Sequence, residues 1–155
     1  HPEQTVVDLP VTGGQLHGNL KFKNRFGYAF DWAVNWQSTG DSFTWDVKVV
    51  NDGVYEFFLQ YLIPPGCEGT KIEIHANGTS LTKTVEESFV PEAYLNHDQV
   101  DRGRPPEMKW KNFTWGNLSL KKGEYKITVN PLDIPGPQVG ELYGVRIKNI
   151  KVINE

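Results

Sequence analysis

The stretch FTWDVKVVNDGVYEFFLQYLI, residues 43–63, decides the fold. Phe43, Trp45, Val47 and Val49 fall on one parity, and Thr44, Asp46 and Lys48 on the other. A two-residue apolar period marks a strand with one face buried. Asn51-Asp52-Gly53 then supplies a tight turn of the hairpin type, since these residues tolerate left-handed backbone. The next run places Tyr55, Phe57, Leu59 and Tyr61 on one face. Its other face carries Val54, Phe58 and Leu62, so the expectation is a central strand covered on both sides. Pro64-Pro65-Gly66 ends it, because proline has no N–H to give to a ladder.

The same period runs outward in both directions. TKIEIHA turns Ile72 and Ile74 inward, and Asn77-Gly78 bends the chain into TSLTKTV. After a glycine-marked turn at Lys122-Gly123, Tyr125, Ile127 and Val129 point inward. The last strand carries Val145 and Ile147, then shifts phase to Ile150 and Val152, which predicts a bulge near Lys148-Asn149. Earlier strands read at HGNLKFKN and near YAFDWAVNW. Many short strands with turns between them and no helical period predict an all-β antiparallel two-sheet sandwich with jelly-roll topology. Residues 88–109 break the pattern with three prolines and many charges, and a connection that long is usually functional or mobile.

Length and composition set bounds. At 155 residues the chain is one domain, long enough for a core without staples. A net charge of −3, with both signs mixed, excludes the basic stripe of a nucleic-acid binder. No apolar run approaches a membrane span. No secretory leader is visible, which leaves a cytosolic chain, a processed one, or a piece of a longer one. One cysteine, Cys67, excludes an internal disulfide framework; it reads as a small loop residue. Asn77, Asn112 and Asn117 match the glycosylation acceptor pattern, which is short enough to arise by chance.

No nucleophile elbow, phosphate loop, zinc spacing or calcium loop appears. His1 raises one rival. An N-terminal histidine chelates copper through amine and imidazole, with His17, His75 or His97 as partner, as in β-sandwich copper monooxygenases. Metal sites need several ligands in workable geometry, so the plainer reading, that the numbering starts there, is preferred.

The tryptophans carry more. Trp45 alternates with apolar neighbours and is read as core. Trp32 and Trp36 lie four apart, so one regular strand would put them on a common face, with Trp32 the nearer to a ligand. Trp110 and Trp115 bracket the end of the charged connection. Sugar-ring faces stack on aromatic rings while hydroxyls take hydrogen bonds, so a loop tryptophan among polar residues suits a glycan. Arg25, Arg102 and Arg104 are candidates for sulfate or carboxylate through paired guanidinium bonds; the alternative is solvated charge or pairing with Asp98, Asp101 and Glu107.

Taken in order, LHGNLKFKN (16–24), residues 35–61, GTKIEIHANG (69–78), HDQVDR (97–102), FTWGNLSLKKGEYKITV (113–129) and IPGPQVGELYGVRIKNI (134–150) resemble a known family. It is the C-terminal β-sandwich of bacterial sulfatases and some α-L-fucosidases, similar in turn to family-six carbohydrate-binding modules. The resemblance implies a non-catalytic, monomeric, secreted or cell-surface bacterial module tethered to a catalytic domain. The implied partner is a polysaccharide, with a sulfated algal glycan containing fucose or galactose among the candidates, and neither nucleic acid nor membrane. The implied sugar clasp falls on Tyr28 or Trp32, then Trp110. Where that family places an asparagine, this chain has Glu141 and Tyr143. The resemblance implies no cofactor beyond a structural calcium near the first strand, where only Glu3 and Asp8 are acidic. A structural accessory domain that binds no glycan is the main alternative.

Overall fold

A computed structural model describes residues 6–24, 31–91 and 110–152. The strands are β1 (Val6–Pro10), β2 (Gln15–His17), β3 (Lys21–Phe22), β4 (Ala33–Trp36), β5 (Ser42–Val49) and β6 (Gly53–Leu62). They continue with β7 (Lys71–Ala76), β8 (Thr79–Thr84), β9 (Asn112–Leu120), β10 (Gly123–Asp133) and β11 (Gly140–Val152). One sheet runs β3-β4-β11-β6-β9, with β1 also paired to β11; the other runs β2-β5-β10-β7-β8. Every pairing is antiparallel, which is the expected two-sheet sandwich.

Alternation drives the two sheets together. Phe43, Trp45 and Val49 from β5 meet Tyr55, Phe57, Leu59 and Tyr61 from β6 in a single core, with Ile72, Ile74, Ile127, Val129, Val145 and Ile147. The tight turn at Asn51-Asp52-Gly53 therefore does not make a hairpin. It carries the chain from one sheet to the other: β5 lies between β2 and β10, β6 lies between β11 and β9, and the two strands bury their apolar faces in the core from opposite sides. The β7–β8 pair, joined at Asn77-Gly78 with Asn77 at φ 50°, is a hairpin. β6 is central, between β11 and β9, as its two-sided apolar pattern predicts.

HGNLKFKN splits into two strands that enter different sheets, β2 and β3. The break falls at Gly18 (φ 84°), where a side chain would collide with Asp41. β11 departs from strict register opposite β6 between Asn149 and Lys151, so the extra residue is Ile150, one position beyond the predicted bulge.

Asp41 shows how the irregular segments are held. Its buried carboxylate accepts from the backbone N–H groups of Asn19 (2.8 Å), Gln37 (3.1 Å) and Ser38 (3.0 Å). Backbone donors that would otherwise lie unpaired in a turn are thereby satisfied. Gly140 is equally constrained. It sits at φ 145°, and a Cβ there would lie 2.5 Å from the Leu62 carbonyl oxygen. Gly140→Ala is expected to cost about 1–3 kcal/mol, through overpacking and backbone strain. Urea denaturation reads this as a lowered midpoint; an unchanged midpoint would mean that β6 and β11 move apart freely.

The sandwich has two distinct ends. β4 and β6 finish, and β9 and β11 begin, at one end. At the other, Val152 pairs with Gly53, and Val6 pairs with Lys148.

Candidate functional site

At the first of these ends, β4 and β11 are out of step. Gly140 pairs with Trp36 and Leu142 with Ala33, so Val34 and Asn35 together stand against Glu141. Asn35 takes up the extra residue at φ 68°, a left-handed conformation that asparagine tolerates better than most. The insertion inverts the parity of β4. Ala33 and Trp36 both enter the core, while Trp32 lies outside the core cluster. The expectation that Trp32 and Trp36 share a face fails for this reason.

β11 carries a second irregularity. Leu142 pairs with Tyr61 and Gly144 with Gln60, which makes Tyr143 the extra residue. A bulge re-aims its side chain. The Tyr143 ring stacks on Trp110, with centroids 5.2 Å apart and planes 10° apart. Trp110 in turn meets Trp32 edge-on at 5.5 Å and 68°. Three rings from three chain segments thus form one continuous aromatic group.

Trp32 is fixed on all sides. Its indole N–H donates to Glu141 Oε1 at 2.7 Å. Its backbone N–H donates to Asp31 Oδ1 at 2.9 Å, and its carbonyl accepts from the Lys23 N–H at 2.8 Å. Asp31 also accepts from the backbone and side-chain amides of Asn24. On β6, Leu62 pairs with Glu141 and Gln60 with Gly144; they are 1% and 7% exposed, and neither is in the inter-sheet core. Both are outward-facing residues of β6, flanked by β11 and β9.

The five indoles separate cleanly. Trp36 donates to the Asp41 carbonyl (2.9 Å), Trp45 to the Pro10 carbonyl (2.8 Å) and Trp115 to the Ile72 carbonyl (2.9 Å). With Trp32 on Glu141, four N–H groups are engaged, and all four rings are buried. Trp110 is half-buried, and its N–H has no partner among the described residues. Trp45 is core as expected; Trp115 is core as well.

Of the residues singled out from the sequence, the fold brings Trp32, Trp110 and Glu141 together, with Tyr143 beside them. Arg25, Tyr28, Arg102 and Arg104 lie outside the described residues, as do His1, Glu3 and His97. His17 and His75 stand on β2 and β7, with β5 and β10 between them, roughly 14 Å of sheet. His17 is hydrogen-bonded to Thr44 Oγ1. Asp8 is engaged by Arg146 at 2.7 Å. Among the described residues no three of His, Cys, Asp and Glu cluster as metal ligands. Burial pushes the Cys67 thiol up, which suits a packed loop residue rather than a nucleophile. Sequence reasoning missed Gln60 and Asp31. A lone polar residue in an apolar strand, or an acid before a tryptophan, gives no pattern to find them by.

The fold is that of carbohydrate-binding modules of the family 35 and family 6 kind. A family 35 module from Clostridium thermocellum superposes with a TM-score of 0.60 at 13% identity, covering 92% of this chain and 97% of that one. The C-terminal family 6 module of a marine laminarinase from Zobellia galactanivorans gives 0.62 at 8% identity, covering 94% and 100%. A family 6 module of Cellvibrio mixtus lichenase 5A, solved with cellotriose, gives 0.57 at 10% identity, covering 92% and 96%. No family model and no curated protein matches the sequence.

Proposed function

We propose that this chain is a non-catalytic polysaccharide-binding module whose site is the Trp110–Tyr143–Trp32 group with Glu141. One observation carries the reading: Trp110 is the one indole that is not buried, and its N–H has no partner among the described residues. A flat apolar face with polar groups at its edge is what a pyranose needs, ring against ring and hydroxyl against acceptor. Trp32 and Trp110 touch, so the sugar lies over the group rather than between these two rings.

The module would hold a tethered carbohydrate-active enzyme at its substrate by raising local concentration. A sulfatase or α-L-fucosidase parent, and a secreted or cell-surface bacterial location, belong to this proposal. The Phanerochaete chrysosporium exo-β-1,3-galactanase, of which the matching part is 29%, illustrates such a module beside a catalytic domain. A sulfated, fucose- or galactose-containing ligand would depend on Arg25, Arg102 and Arg104. The described part of the site offers a carboxylate instead, and the ammonium of Lys111 stands over the Phe113 and Phe89 rings. This supports an uncharged or basic sugar over an anionic one.

Affinity electrophoresis through neutral, sulfated and amino polysaccharides tests the proposal. Retardation in at least one gel is the expected result. Uniform mobility in all of them would favour an accessory domain that binds no glycan.

A further inference from the structure

Glu141 is an odd residue for the floor of a neutral sugar site. It is 8% exposed, and the one hydrogen bond its side chain accepts from the described residues comes from a neutral indole N–H. No lysine or arginine pairs with it among the described residues. Among the described residues its second oxygen has no partner, and no buried side-chain polar atom of those residues lacks one, which agrees with an oxygen that reaches the surface. A carboxylate taken out of water without a cation is held at a disadvantage that a cation arriving with a ligand would remove. A hydroxyl removes less of it, and an anionic group adds repulsion. The flanking rings act in the same direction, because aromatic faces attract ammonium groups.

We infer that Glu141 makes this site selective for glycans with a free amine, a hexosamine unit whose ammonium meets the open carboxylate oxygen beside Trp110 and Tyr143. The inference rests on the proposed glycan site and names its preferred ligand.

Three β-1,4-linked tetramers that differ only at C2 provide the test: glucosamine, N-acetylglucosamine and glucose. Calorimetry in 150 mM salt, about one Debye length of 8 Å, limits attraction to distant charges. The glucosamine tetramer is expected to bind at least tenfold tighter than cellotetraose, and the acetylated tetramer no tighter than cellotetraose. Glu141→Gln keeps the shape and the acceptor for Trp32, and should bring the glucosamine and glucose tetramers within threefold of each other. Its urea midpoint, measured alongside, confirms that the variant is folded. A glucosamine tetramer that fails to bind, or binds no tighter than cellotetraose, overturns the inference. So does a preference that survives Glu141→Gln. Binding of cellotetraose or another polysaccharide without that preference leaves the glycan-binding proposal standing; blank results across the whole panel remove both.

Discussion

Trp36→Ala is expected to remove a large share of the domain's stability. Trp36 is 0% exposed, packs edge-on against Phe43 at 5.0 Å and donates to the Asp41 carbonyl. Truncating a buried tryptophan costs about 3–5 kcal/mol, against a total stability of about 5–15 kcal/mol for a typical domain. The loss here extends beyond the cavity. The Asp41 carbonyl would lose its donor inside a turn whose carboxylate already organises three backbone amides. Urea denaturation followed by near-ultraviolet circular dichroism reads the effect. A midpoint close to that of the parent would contradict the assignment of Trp36 to the inter-sheet core.

Trp110→Ala should do the opposite. Glycan affinity is expected to fall about thirtyfold, equivalent to about 2 kcal/mol, the level at which a binding residue counts as dominant. Stability should change little, because Trp110 lies outside the core cluster and its N–H has no partner among the described residues. The pair of variants separates binding from folding. Titration with whichever glycan is retarded in gels gives the first number, and the urea midpoint gives the second. Unchanged affinity would place the site elsewhere on the sandwich, whatever the ligand proves to be.

Much of this was legible in the sequence, for a physical reason. Alternation reports which side chains face the core, and Phe43, Trp45, Phe57, Leu59, Ile72, Ile74, Ile127 and Val129 all do so as the period predicts. Which strands share a sheet is not local information. The turn after β5 looks like a hairpin because its residues permit one, and only the burial of both flanking strands from opposite sides redirects it. The parity change in β4 was equally hidden. One asparagine at positive φ leaves no trace in composition, yet it sends Trp36 inward and leaves Trp32 outside. Trp110 could be named as a site candidate from its polar context, and Trp32 and Glu141 from the family resemblance. The burial of Gln60 could not be foreseen, because its β-sheet neighbours, Gly144 and Asn112, lie far away along the chain.

The two ends of the sandwich have a practical consequence. The strand carrying Glu141 runs on to Val152, eleven steps or about 36 Å away at the rise of a strand. Val6 joins that strand at Lys148, well past its midpoint. Val6 and Val152 therefore both stand toward the pole remote from the rings, and a surface that met the sandwich through that pole would leave the rings free to lie against an insoluble fibre.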